Sequence, residues 1–261
     1  MKSEWLQEFW HYRELFYFLV WRNVKIRYKQ TVLGASWAVI QPFCTMIVFT
    51  LFFGRLAKMP SDGIPYPVFS YSALLPWTYF SGALTAAGNS LVGNSNLITK
   101  VYFPRATIPT SAALSGLVDF GIASIVLLGM MAYYRIPLSW GFLLWPVLLV
   151  PLVLLALGVG MMLAALNVRY RDIKYTIPFM VQLWLFLTPI IYPTSIIPER
   201  FRALSAFNPL SGIIEAFRSS FLPTRHVDWH MLGISVAVVL VVFVLGATYF
   251  RKVEKTFADI I

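Results

Sequence analysis

The sequence predicts an all-α membrane protein with six transmembrane helices per subunit, an N-terminal amphipathic interface helix and a re-entrant helical hairpin between spans five and six. Three observations predict it. Of the 261 residues, 59% are hydrophobic and 12% charged, against about 25% charged in an average globular domain. The mean hydropathy is +0.71. The apolar residues also gather in charge-free runs long enough to cross ~30 Å of hydrocarbon, which takes ~20 helical residues. Six such spans leave room for short loops and one amphipathic segment, and none for a separate soluble catalytic domain.

Residues 1–30 form the interface helix. Trp5, Phe9, Tyr12, Phe16 and Leu19 recur at spacings of four and three on one helical face, and Glu4, Gln7, Glu8, His11 and Glu14 fall on the other. Such a helix lies in the membrane plane, either as a plain anchor or also as a dock for a cytoplasmic partner. Its three acidic residues and the lack of a small-residue cleavage site exclude a signal peptide.

Residues 31–250 hold the spans. The first is 31–54. The charge-free run 63–99 is too long for one crossing and turns polar at Asn89, Asn94, Ser95 and Asn96, which places the second at 68–92. The third, 106–134, is interrupted only by Asp119. The fourth is 143–166, the fifth is 175–192 and stops at Pro193, and the sixth is 230–250, followed by a tail over 251–261. Ala156, Gly160 and Ala164 repeat every four residues on the fourth span and predict close helix packing within the subunit.

Two connections are too apolar to be simple loops. Leu97, Ile98, Val101, Tyr102 and Phe103 place an apolar face on a short helix over about 94–104, and an exposed apolar face requires a partner. The segment 196–222 is apolar but broken by Pro198 and Pro209 into pieces too short to cross, so it reads as a re-entrant hairpin on the outer side. Non-helical backbone at Asn208-Pro209 is tolerable only against protein or a water-filled cavity. That points to an outer gate at Pro198, Asn208, Pro209 and Arg218, with a passive lid as the alternative.

Charge sets the orientation. Lys2, Arg13, Arg22, Lys25, Arg27 and Lys29 precede the first span. Lys100 and Arg105 lie in the second connection, Arg169, Arg171 and Lys174 in the fourth, and Arg251, Lys252 and Lys255 in the tail. Together they make up two thirds of the 21 Lys and Arg, on the side shared by both termini. By the positive-inside bias that side is cytoplasmic. The net charge of +10 follows from the same bias, suits anionic lipid headgroups and calls for no nucleic-acid partner.

Few residues carry chemistry. The single cysteine, Cys44, lies within the first span and reads as packing; it excludes an intrachain disulfide. His226 and His230 have metal-ligand spacing but no third ligand beyond Asp228, so an interfacial loop is expected there and no metal. Asp119, inside the third span, is a functional candidate by position. It fits a hydrogen-bonded packing role, a pore contact or a proton relay, and under the first Asp119→Asn retains transport.

Several blocks resemble the membrane subunits of ABC-2 type exporters that move O-antigen, capsule or teichoic-acid polysaccharides. They are Tyr28-Lys29-Gln30-Thr31-Val32-Leu33-Gly34-Ala35-Ser36-Trp37-Ala38 with Pro42, Leu75-Pro76-Trp77, the loop from Lys100 to Pro109, Asn167-Val168-Arg169-Tyr170-Arg171-Asp172-Ile173, Thr188-Pro189-Ile190-Ile191-Tyr192-Pro193 and Asn208-Pro209. The resemblance covers nearly the whole chain. It implies a homodimer bound to two copies of an ABC ATPase subunit, exporting a lipid-linked polysaccharide across the inner membrane of a bacterium.

The chain has no Gly-x4-Gly-Lys-[Ser/Thr] phosphate loop, so no cofactor is expected on it, and ATP with Mg belongs to the partner ATPase. The resemblance makes the N-terminal helix and the coupling segment the ATPase's landing points; the latter comprises Asn94, Leu97, Ile98, Lys100, Val101, Tyr102, Phe103, Pro104 and Arg105. It places the first and fifth spans around a pore. Aromatic rings offer a glycan broad amphipathic contact, so Trp37, Phe43, Phe49, Phe52, Phe53, Trp184, Phe186 and Tyr192 are the channel-lining candidates, with interfacial anchoring as their other reading. Lys25, Arg27 and Lys29 stand at the cytoplasmic mouth of the first span, where they meet either the carrier lipid's diphosphate or ordinary headgroups. The same fold moving a small hydrophobic drug or lipid is the alternative function. An intramembrane enzyme would need a convergent set of acids, His, Ser or Cys, for which a lone Asp119 is poor material.

Overall fold

The computed structural model describes residues 11–29, 34–100, 103–170, 172–198, 205, 207–221 and 227–257. Among these residues the chain is helical, with no strand. Four described helices are long and apolar enough to cross a membrane: Trp37–Leu56, Thr107–Tyr133, Trp140–Arg169 and Trp229–Thr256.

Helix α1 (Arg13–Tyr28) buries Leu19 and Val24 and packs along α5 (Thr107–Tyr133). Asn23 Nδ2 donates to Ser111 Oγ at 3.4 Å, and one turn later Arg27 and Tyr28 both reach Asp119. Asp119 lies about 18 Å from the start of α5, at 1.5 Å per residue. The end of α1 therefore runs beside the first half of α5, held by polar partners on that helix. His11 and Glu14 are exposed as expected, but so are Tyr17, Phe18, Trp21 and Ile26. Trp5, Phe9, Glu4, Gln7 and Glu8 lie outside the described residues.

Helix α2 (Trp37–Phe49) continues as a π-helical stretch, Thr50–Leu56. It buries only Pro42 and Met46. Cys44, expected to pack, is exposed because it sits between those two positions on a helix with one narrow contact stripe.

Helix α3 (Tyr66–Asn89) is the centre of the molecule, packed against α5, α2 and α6 (Trp145–Arg169). The sequence marks it as a span by its lack of charge, yet Ser and Thr keep it less apolar than the four above. Burial against protein makes this tolerable. Ser72, Thr78 and Ser81 each donate to the carbonyl three residues back, and Thr85 and Asn89 to the carbonyl four back. Asn167 on α6 adds a bond to the Gly88 carbonyl at 3.1 Å.

Small residues set the helix approaches. On α6, Ala156 and Ala164 are fully buried, and a Cβ at Gly160 would sit 2.7 Å from Ala87 of α3, in keeping with the predicted close packing. The opposite side of α6 meets α9 (Trp229–Val253). A Cβ at Gly158 would lie 2.7 Å from the Phe243 Cα, and one at Gly246 would overlap the Gly158 carbonyl. Asp228 caps α9 by accepting from the Met231 N–H at 3.0 Å.

Helix α7 (Ile173–Leu187) buries only Ile177, whose Cδ1 occupies the space over Gly88. The sequence carries this helix to Tyr192. It ends earlier because the residue before a proline avoids helical angles, and Thr188, before Pro189, is extended. Helix α8 (Pro209–Phe221) is buried along its whole length against α9, α3 and α6. Of the hairpin predicted over 196–222, residues 199–204, 206 and 222 lie outside the described residues.

Candidate functional site

Two polar constellations stand out in this apolar frame, one open and one sealed. The open one borders a cavity of about 660 Å³ between the end of α1 and helices α2, α3 and α5. Arg27 Nη1 is ion-paired with Asp119 Oδ2, and the Tyr28 hydroxyl donates to Asp119 Oδ1. Burial first, then the hydrogen bond to Asp119 and its charge, raises the Tyr28 hydroxyl above its ordinary pKa, so it stays a donor. Gln41, Thr78 and Ser81 add neutral polar groups to the wall, and Trp37, Pro42 and Phe120 add apolar area. Of the three mouth cations, Arg27 alone lines this cavity. Lys25 sits over the Trp21 ring at 5.5 Å, and Lys29 is exposed.

The aromatic candidates divide. Trp37, Phe43, Phe52 and Phe186 are exposed on α2, its π-helical continuation and α7, helices that bury little within the subunit. Phe43 also lines a mainly apolar slot of about 610 Å³ between α2 and α5, with Arg55 and Tyr133. Phe49 and Phe53 are half-buried and stack edge to face on each other at 5.7 Å. Trp184 is half-buried against Phe80 at 5.1 Å, and Tyr192 is half-buried.

The sealed constellation surrounds the chain break after α7. Asn208 accepts from Trp184 Nε1 at 2.9 Å and from the Leu210 N–H at 3.2 Å, and donates to the Leu187 carbonyl at 3.2 Å and to Thr188 Oγ1 at 3.0 Å. Arg218, fully buried, holds Glu215 Oε2 at 3.0 Å and the carbonyls of Pro189 and Ile190 at 3.0 and 3.2 Å. Its guanidinium lies 3.9 Å from the Phe69 ring centre. The Tyr66 hydroxyl takes the next carbonyl, Ile191, at 2.8 Å. Carbonyls freed by the proline break thus find donors within the protein. Of the outer-gate candidates, Asn208 and Arg218 act as braces, Pro209 is buried at the start of α8, and Pro198 is exposed.

The connection between α3 and α5 contains a short helix, α4 (Ser95–Lys100). The sequence expects an exposed apolar face here. Instead Ile98 and Phe103 are buried, Leu97 is half-buried, and Val92, Gly93, Asn96, Thr99 and Lys100 face outward. The apolar residues are covered because the connection folds back on its own helices: Arg22 Nη2 donates to Asn94 Oδ1 at 2.5 Å, and Arg105 donates to the Glu254 carbonyl. Pro104 is half-buried; Val101 and Tyr102 lie outside the described residues.

Sequence reasoning gave no role to Tyr28 and Thr188, although both fall in the blocks quoted above, and passed over Tyr66 and Glu215. Only Glu215 left a local signal, an acid three residues before Arg218 in an apolar stretch. The others act on partners distant in sequence.

The chain matches the family model described as ABC-2 type transporter over residues 14–222. It is 32% identical to an O-antigen export system permease protein, RfbA, of Myxococcus xanthus over 97% of this chain and 98% of that protein. A Klebsiella pneumoniae protein of the same name is 28% identical over 92% of each chain. The polysialic acid transport protein KpsM of Escherichia coli is 23% identical over 90% of this chain and 91% of its own.

Proposed function

Because this chain belongs to the ABC-2 type transporter family, we propose that it is the channel-forming subunit of an ATP-driven exporter carrying a lipid-linked, O-antigen-like polysaccharide from the cytoplasm across a bacterial inner membrane. The observation that carries this reading is the end-to-end likeness to permeases named for O-antigen export. The subunit is a permease, and hydrolysis of ATP with Mg falls to a separate ATPase, two copies of which serve a homodimer.

In this reading the chain crosses six times, with α3 and α7 as the second and fifth crossings and both termini cytoplasmic. Helix α7, with 15 residues, is about 22 Å long, short of the ~30 Å core; the braced break and α8 complete its passage. The low burial of α2 and α7 supports assigning their exposed aromatics to the pore and the contact between copies. The outward side of α4, with Lys100, and the outer face of α1 supply the ATPase contacts. Lys25, Arg27 and Lys29 meet the lipid diphosphate at the cytoplasmic entrance.

Deletion of the gene in its host, with separate analysis of cytoplasmic and surface glycan, tests this. Export predicts that lipid-linked polymer accumulates inside and that the intact chain restores surface glycan. Complete absence of polymer would assign the chain to synthesis and overturn the reading, as would transport by reconstituted subunit without an ATPase.

A further inference from the structure

We propose that the cavity walled by Arg27, Tyr28 and Asp119 seats the phosphate end of a lipid-borne substrate, and that Asp119 holds Arg27 until that phosphate displaces it. This rests on the export reading.

Two ion pairs between described residues differ in a way that separates function from structure. Arg218 and Glu215 are shut in, with side-chain exposures of 0% and 10%. Arg27 and Asp119 stand open, at 37% and 27%, on the wall of a cavity of about 660 Å³. A pair serving only to neutralise Asp119 needs no open space beside it. Gly82 lines the same cavity, and a Cβ there would meet nothing within 4 Å. The remaining wall combines Gln41, Thr78 and Ser81 with Trp37 and Phe120, a mixture suited to a phosphate ester with hydrocarbon attached.

Exchange is chemically balanced. Phosphate matches the planar guanidinium fork at least as well as a carboxylate does. When Arg27 turns to it, Asp119 keeps the Tyr28 hydroxyl, so no carboxylate is stranded. Asp119 also gives the site a resident competitor, which lets Arg27 release the phosphate again; a translocation site must bind weakly enough to empty. The exchange further loosens one of two links between the end of α1 and α5, giving the bound phosphate a mechanical consequence at the interface helix.

The test uses the complete complex with its ATPase in nanodiscs of phosphatidylcholine, with farnesyl diphosphate as the probe and farnesol as the probe lacking phosphate. Farnesyl diphosphate binds and farnesol does not. Asp119→Asn, which removes the competitor of a half-exposed pair, tightens binding about fivefold. Arg27→Gln weakens it by about tenfold or more, and Gly82→Phe, which fills the cavity from its open wall, abolishes it. Unchanged or weaker binding by Asp119→Asn overturns the exchange, and unchanged binding by Gly82→Phe overturns the location. Displacement of the probe by an equal mole fraction of phosphatidylglycerol assigns the site to bulk headgroups and overturns the substrate assignment. Export itself is read separately from glycan in deleted cells, so loss of that reading leaves a different record from loss of probe binding.

Discussion

Replacing Arg218 with Met should undo the turn that follows α7. Met preserves an unbranched apolar stem but removes every donor. The guanidinium is fully buried, meets Glu215 at 3.0 Å and supports two carbonyls at 3.0 and 3.2 Å. Breaking a buried ion pair from one side costs about 3–5 kcal/mol. Each carbonyl left without its donor costs about 1–3 kcal/mol. Even the lower values together reach about 5 kcal/mol, the whole stability margin of many domains. Arg218→Lys keeps a charge beside Glu215 but lacks the fork that reaches both carbonyls, and should cost about half as much. Thermal unfolding of the detergent-solubilised complex ranks the three proteins. A single Met variant melting within about 2 °C of the wild type, a shift worth under ~1 kcal/mol at this size, would refute the brace.

Gly246→Ala places a methyl group onto the Gly158 carbonyl at the α6–α9 crossing and should cost at least about 1–3 kcal/mol, whereas Gly121→Ala, with open space around it, should be neutral or stabilise by up to ~1 kcal/mol; melting temperatures of both check the contrast. Ile98→Asp should lower the yield of folded protein, because Ile98 is buried and an unpaired charge there is costly. Lys100→Glu, on the exposed side of α4, should leave folding intact and reduce ATPase capture, measured by co-purification with the ATPase subunit. Asn208→Ala removes four hydrogen bonds at about 1 kcal/mol each and should speed proteolysis at the chain break, followed by limited digestion in detergent.

What was legible follows from what the solvent enforces. The third and sixth spans, expected at 106–134 and 230–250, are helices at Thr107–Tyr133 and Trp229–Val253, since lipid exposure writes itself into local composition. The fifth ended early for a reason present in the sequence, Pro189 after Thr188, but masked by the apolar run that follows it. The pairing of Arg27 with Asp119 was not legible, because it joins positions 92 residues apart, and no local pattern encodes that distance. Apolar residues in a connection were misread for a related reason: Ile98 and Phe103 carry the same composition whether they face a partner or their own core. Composition states that a side chain avoids water, and only topology states what covers it.

The hydrogen bonds around the break also decide how α7 can move. At its C-terminal end, Asn208 holds Trp184, Leu187 and Thr188 to the start of α8. Arg218 holds Pro189 and Ile190 to the body of α8, and Tyr66 holds Ile191 to α3. Along the rest of its length α7 buries only Ile177. One end is thus fixed by several polar bonds, and the remainder of the helix rests on apolar packing, with Ile177 buried and Ile173 and Val181 half-buried against the core. A displacement of α7 relative to α3 should therefore pivot about the break and be larger at the Ile173 end, where apolar packing takes the place of the polar bonds.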